Sequence, residues 1–410
     1  MSDARIVIVG GGFGGLFTTL GLGGVGHATL ISQEDHFLFT PLLYEYLSGE
    51  VEAWHIAPRY KELLEADVRF VQGRVTGVDL SAQEVAVEGR ARRIAYDVLV
   101  LATGGVTNYA GVEGAAEHAL PFRKLADADR LRMLMIDVLD RVPPDAAPQD
   151  VRRATTFIVV GAGASGVELS TKMADLLRDA FRRRGLQGAP RVIVVEMSDR
   201  VVPTMDDEIR RHVEEALRSS GVEVHTQTTV RRVAPGRVVV EHKGQQQEIE
   251  VAAAIWTGGV RPNPLVESLD VEKNRNGLIV VEPTLQVRHH ANVFALGDIA
   301  LCTAVDSPRL IGTAQLAYQQ AGLVAANVRA LIERRPLETR RFHELGEAVS
   351  LGTERAAVLT SGLVVDGALG RQARFALYTS RLPTWHHRLK VGASWFFEGT
   401  APRPLSLERY

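Results

Sequence analysis

The sequence predicts an α/β chain with two Rossmann-like dinucleotide-binding domains, one inserted in the other, and a C-terminal amphipathic segment. Three observations carry that expectation. The stretch "IVIVGGGFGGLFTTL", Ile6 to Leu20, has a near copy in "FIVVGAGASGVELST", Phe157 to Thr171. The likeness continues downstream, where "ADVRFVQGRVTGVDL" parallels "SGVEVHTQTTVRRVA" and "YDVLVLATGG" parallels "VAAAIWTGGV". The offsets are 151 from Gly10 to Gly161, and 154 from Val68 to Val222 and from Thr103 to Thr257, so a whole unit is repeated. Last, "GLIVVEPTLQVRHHANVFALGDIA", Gly277 to Ala300, returns to strand character after the second unit closes near Pro262.

Taken in order, Arg5 to Val9 is a short apolar run, as in a parallel strand buried on both faces. Gly10, Gly12 and Gly15 follow in G-x-G-x-x-G spacing. The first glycine permits the tight turn, the second lets backbone approach a pyrophosphate, and the third lets helix pack on strand. The next helix aims its N-terminal amides at the phosphates. Gly161, Gly163 and Gly166 repeat the arrangement after the strand Thr156 to Val160. Each unit then carries a small β-meander, giving the three-layer ββα type. The helix region of the second unit has an extra charged stretch, "LLRDAFRRRGLQGAP", which reads as a solvated helix end and loop. The expected divisions are 1–115 and 276–335 for one dinucleotide domain, 155–275 for the other, 116–154 as a helical connection, and 336–410 as an interface region.

Composition bounds the function. The 410 residues are 46% hydrophobic and 23% charged, with a net charge of -2, which gives no reason to expect nucleic acid as a partner. The start "MSDARIVIVG" lacks the features of a signal peptide, and the apolar stretches are broken too often for a membrane-spanning helix. Cys302 is the single cysteine, which excludes an internal disulfide and reads as a small core residue. His36, His289 and His290 have no evident chemical partners, and no metal site is expected.

The strand "NVFALGD" ends in Gly297-Asp298. Following two dinucleotide units, it resembles the closing motif of flavoproteins that bind FAD in one such unit and a nicotinamide nucleotide in the other. Disulfide and sulfide:quinone reductases share that layout but need a cysteine pair. "HFLFTPLLYEYLSGEVEAWHIAPR" (His36 to Arg59), "IGTAQLAYQQAG" (Ile311 to Gly322) and "RLPTWHHRLKVGASWFF" (Arg381 to Phe397) resemble type II NAD(P)H:quinone dehydrogenases, most of all their cyanobacterial and plastid branch. The resemblance covers nearly the whole chain. It implies noncovalent FAD, NADH or NADPH as donor, a membrane quinone of menaquinone or phylloquinone type as acceptor, and no proton pumping.

Carried over residue by residue, the resemblance puts Gly10, Gly12, Phe13 and Gly15 at the FAD phosphates, with Thr40, Val75, Ala102, Thr103, Gly104, Asp298 and Ala314 lining the rest. The family's acid at the end of the second strand is Ser32 here, and Glu34 is the candidate substitute for holding the adenosine ribose. Gly161, Gly163, Ser165, Gly166 and Gly258 would hold the nicotinamide nucleotide, with Glu196 accepting from its 2′-hydroxyl and favouring NADH, although Arg200 lies close by. Glu168 matches a glutamate beside nicotinamide and flavin. Gln315, Tyr318 and Gln319 are the expected quinone contacts. In the tail 381–397, basic residues mix with Leu382, Trp385, Leu389, Val391, Trp395, Phe396 and Phe397, the pattern of an interfacial helix on a lipid surface. A cytoplasmic enzyme, peripheral on the inner face of the membrane, follows; the tail's other reading is a helix packed on the body or on the second subunit of a homodimer. Two other functions fit the layout: a soluble reductase of a ferredoxin-like protein, and a flavin-bearing redox sensor.

Overall fold

The computed structural model describes residues 3–143, 145–360 and 362–406; residues 1–2 and 407–410, the outermost parts of the two expected end regions, lie outside the described residues. The chain forms two compact units, each discontinuous in sequence: 1–39, 57–106 and 260–345 make the first, and 40–56, 107–259 and 346–410 the second.

The first unit is built on a six-stranded sheet. Its spatial order is Gln286–Val287, His290–Ala295, Val98–Leu101, Arg5–Val9, His27–Ser32, Arg69–Gln72. All neighbours are parallel except the first two. Arg5–Val9 is central, with Val9 opposite both Ile31 and Leu101. An apolar side chain at every position from Ile6 to Val9 suits this place, because both faces are covered. On one face Val7, Val9, Leu99 and Leu101 pack with Val85, Val87 and Tyr96 of the antiparallel meander Val75–Asp79, Glu84–Val87, Ile94–Ala95. Across the sheet lies the helix Phe13–Leu22. It packs closely on the helix Ala314–Ile332, where a Cβ on Gly21 would stand 2.8 Å from that of Ala325.

The second unit repeats the plan. Its parallel sheet runs Glu223–His225, Arg191–Val195, Thr156–Val160, Ala253–Trp256, Leu120–Pro121. The meander is Thr228–Ala234, Arg237–His242, Gln245–Glu250, and Ile158, Val160, Ile193 and Val195 meet it in one core. The helix Ala164–Arg184 is longer than its counterpart and ends at Gly185, left-handed at φ 64°. The extra charged stretch is thus the last turns of that helix, where Arg182 and Arg183 pair with Asp179 and favour the negative helix end. This unit adds a sheet of Glu347–Ser350, Ala356–Thr360 and Leu363–Val365 and the helices Gly367–Ser380 and Trp385–Glu398. No described helix is long and apolar enough to cross a membrane.

Candidate active site

The two glycine loops share their anchoring hydrogen bond. Gly10 N–H donates to Ile31 O at 2.8 Å, and Gly161 N–H donates to Val195 O at 2.8 Å. Gly10 and Gly161 are left-handed at φ 104° and 98°. A Cβ on Gly15 would overlap the Gly10 carbonyl oxygen, and one on Gly166 the Gly161 carbonyl oxygen. A Cβ at Gly12 or Gly163 would meet nothing within 4 Å, so each loop keeps one open side. Each glycine therefore has its own reason, and together they leave a cradle lined by backbone N–H groups.

The loops differ at their middle residues. In the second, Glu196 follows the strand Arg191–Val195 directly, and its carboxylate accepts from Ala162 N–H at 2.8 Å and from the N–H and hydroxyl of Ser198 at 2.9 and 2.8 Å. Arg200 is engaged by Asp199 at 2.9 and 3.1 Å. The register puts Ser32 in the place of Glu196 and Gly11 in that of Ala162. There Tyr60, which sequence reasoning missed, donates from its hydroxyl to Gly11 O at 2.7 Å. A Cβ on Gly11 would run into that phenol. Burial pushes the Tyr60 phenol up to about 12, so it stays a neutral donor. Glu34 lies beyond the strand, exposed.

The remaining flavin-site candidates lie on several elements. Ala102 N–H bonds Val9 O at 2.8 Å, and Gly104 is left-handed at φ 61°. The Thr103 hydroxyl is buried with no hydrogen-bond partner among the described residues. The Phe13 ring lies 5.1 and 5.4 Å from those of Phe37 and Phe39. Val75 packs on the core at the start of the meander. Asp298 sits in the short turn Gly297–Ile299, and Ala314 opens the helix that Thr313 caps at Leu316 N–H. Thr40 belongs to the second unit. The expected quinone residues divide. Gln319 is taken up by both backbone groups of His343, and Gln315 accepts from Leu345 N–H at 3.0 Å, so the two amides strap residues 343–345 to their helix. Tyr318 turns instead onto Phe17, ring centroids 4.7 Å apart.

Glu168 is set in a buried ionic cluster that the sequence did not disclose. It accepts from Arg374 Nη2 and from Ser350 N–H, each at 2.8 Å. Arg374 also grips Glu45 at 2.6 Å; Lys172 pairs with Glu50 and lies 3.4 Å from Glu45; Arg371 holds Glu50 at 2.9 Å. Three carboxylates thus face three cations. Burial pushes the Glu168 carboxyl up to about 7, Arg374 opposing and Glu45 adding to the rise. For Glu45 burial acts the same way, but Arg374 and Lys172 outweigh it and hold it below the usual range. Burial thus sets Glu168 apart from Glu45, raising the one while the cations hold the other down. Tyr44, next to Glu45, is buried in this unit. Gly258 adjoins Gly161, where a Cβ would meet Gly258 Cα at 2.9 Å.

The tail helix has two faces. Leu382 and Val391 are fully buried, Trp395 packs edge-on against Phe375, and His387 Nε2 bonds the carbonyl of His55 at 2.8 Å. Trp385 and Leu389 are 62% and 63% exposed, and Phe396 and Phe397 are each 82% exposed.

Comparison with known proteins joins these features. The family described as pyridine nucleotide-disulphide oxidoreductase matches residues 4–321. The chain is 35% identical over 408 residues to the demethylphylloquinone reductase NdbB of Synechocystis sp., covering 96% of each. It is 33% identical over 353 residues to the type II NADH:quinone oxidoreductase Ndh of Mycobacterium tuberculosis, covering 82% of this chain and 75% of that one. The structure of NDH2 from Plasmodium falciparum in complex with NADH has the same fold, with a TM-score of 0.84 at 18% identity, over 98% of this chain and 100% of that one. The chain belongs to the pyridine nucleotide-disulphide oxidoreductases and, among them, to the type II NADH:quinone oxidoreductases.

Proposed function

We propose that this protein oxidises NADH and reduces a membrane quinone of the menaquinone or phylloquinone type, with FAD held by the first unit. The observation that carries the proposal is the pair of matched glycine cradles, one in each unit. The first fits a dinucleotide: Gly12 leaves its mouth open, and the buried Thr103 hydroxyl lacks a partner among the described residues. FAD, when bound, supplies the two-electron carrier.

In this reading Gly10, Gly12, Phe13 and Gly15 receive the FAD phosphates, with Ala102, Thr103, Gly104, Val75, Asp298, Ala314 and Thr40 around the remainder. Tyr60 and Ser32 stand where an acid would otherwise face the adenosine ribose, and Glu34 offers a carboxylate from the surface. Gly161, Gly163, Ser165, Gly166 and Gly258 receive the donor's pyrophosphate, and Glu196 accepts from its ribose hydroxyl, which favours NADH over a 2′-phosphorylated donor. NADH gives a hydride, the solvent gives one proton, and the quinone leaves as quinol. Glu168, which gains and loses a proton near neutrality, is the residue to hold that proton. Tyr318 and Gln315 are the proposed quinone donors, and Gln319 supports them through the strap at His343. The exposed face of Trp385, Leu389, Phe396 and Phe397 is proposed to lie on the inner surface of the membrane, with a second copy of the chain as the alternative cover.

The test is steady-state turnover of NADH and NADPH against a quinone panel, with and without lipid. Fast NADH turnover with a lipophilic quinone is expected. Turnover confined to a ferredoxin-like protein would favour the soluble reductase. Slow turnover with every acceptor, combined with NADH-dependent dimerisation, would favour the redox sensor.

A further inference from the structure

The element "TAQLAYQQAG" holds three glutamines, and the last of them, Gln320, differs from its neighbours. It is fully buried, on the helix face that also carries Leu316, Ala317, Leu323 and Val324. An amide on an apolar face is costly unless both ends are bonded. One end is: Gln320 Oε1 accepts from Gly297 N–H at 2.7 Å. Gly297 is left-handed at φ 74° and begins the turn that carries Asp298. A Cβ on Gly297 would stand 3.6 Å from that of Ala317, one turn before Gln320, so helix and turn are in close contact.

That bond fixes which way the amide faces. A backbone N–H only donates, so the oxygen must meet it and the nitrogen must point the other way. The nitrogen, Nε2, is buried and has no acceptor among the described residues. Both ends of a carboxamide hang on one carbon, so the unused donor lies beside the same Gly297-Asp298 turn. No described residue supplies an oxygen there, and a bound group can.

We propose that Gln320 is a positioning residue of the flavin site: its Oε1 holds the Gly297-Asp298 turn, and its Nε2 donates to an oxygen of bound FAD. The inference rests on the reading that the first unit carries FAD. Gln320 thereby makes the shape of the turn and the presence of the cofactor depend on each other.

The experiment compares wild type, Gln320→Glu and Gln320→Met as purified full-length proteins. FAD is stripped and rebound, with the dissociation constant read from flavin fluorescence and the melting temperature taken with and without FAD. Glu keeps an acceptor for Gly297 but replaces the donor with an anionic oxygen. Its FAD dissociation constant should rise about tenfold or more at pH 8. The rise should shrink as pH falls and the carboxyl regains a proton to donate, a response that a merely structural role would not produce. Met, which fills the space but bonds at neither end, should weaken FAD at every pH and narrow the melting gap between the two forms. A folded Gln320→Glu protein that binds FAD as wild type does, at every pH, would overturn the proposal. If Gln320→Glu does not fold, an unchanged FAD affinity in Gln320→Met would overturn it instead. A folded wild type that carries no flavin and binds none when FAD is supplied would sink the underlying flavin reading, an outcome distinct from both.

Discussion

Glu168→Gln should abolish a pH-dependent loss of stability. In an unfolded chain this carboxyl ionises near 4.5, and in the fold burial raises it to about 7. The sign follows from proton counts. Between those two values the native protein still holds a proton that the unfolded chain has released, so rising pH favours unfolding. Below the window both states are protonated, and above it both are ionised, so the penalty grows through the window and is then constant. The gap is about two and a half pH units, and at 1.36 kcal/mol per unit the full penalty is about 3 kcal/mol. A glutamine keeps an oxygen for Arg374 and Ser350 but has no proton to lose. It leaves three cations against two carboxylates, an offset that does not vary over this range. The assay is urea unfolding of both proteins between pH 4.5 and 8. Other titrating groups cancel in the difference between variant and wild type. That difference should move by about 3 kcal/mol in favour of the variant as pH rises. A flat difference, or one sloping the other way, would refute the assignment of the raised value to Glu168.

Further outcomes are expected from the donor, quinone and membrane sites. Glu196→Gln should lower kcat/KM for NADH and narrow its advantage over NADPH; a wild type that already prefers NADPH would defeat the assignment. Tyr318→Leu should lower kcat/KM for quinone several-fold, since a lost donor costs about 0.5–1.5 kcal/mol, while stopped-flow reduction of the flavin by NADH stays unchanged. If both half-reactions fall together, Tyr318 serves the flavin through Phe17 rather than the quinone. The double variant Phe396→Ser, Phe397→Ser should lose most liposome binding yet keep its flavin and its NADH:ferricyanide activity; full binding would move the contact elsewhere.

What was legible in the sequence was local. Gly10, Gly12 and Gly15 could be read because the tight turn and the helix–strand approach are set within six residues, and the same rules recur at Gly161. The constant offset exposed the repeat for the same reason. The cluster around Glu168 was not legible, because its members come from residues 45, 50, 168, 172, 371 and 374, and no spacing announces that they meet. The one local hint was Lys172, one turn after Glu168 on the same helix. Tyr60 was hidden similarly: nothing near Gly11 in sequence shows that a phenol fills the space above it. Gln315 and Gln319, four residues apart on the helix Ala314–Ile332, share one face. Periodicity cannot say whether such a face meets a ligand or protein backbone, and here both amides bind residues 343–345.

The unlike middles of the two glycine loops bear on how long each guest stays. A dinucleotide brings two negative charges in its pyrophosphate. The second loop already carries the carboxylate of Glu196 on its own backbone, whereas the first carries only the hydroxyls of Tyr60 and Ser32. An acid at this place also accepts from the ribose hydroxyls beside the pyrophosphate, an acceptor that neutral hydroxyls replace only weakly. The two loops thus meet a ribose differently: one through an anionic oxygen, the other through neutral hydroxyls. Ser32→Asp, which restores an acid facing the adenosine ribose, should accordingly slow FAD loss on dilution, followed as the rise in free-flavin fluorescence; an unaltered release rate would show that this position does not set the lifetime.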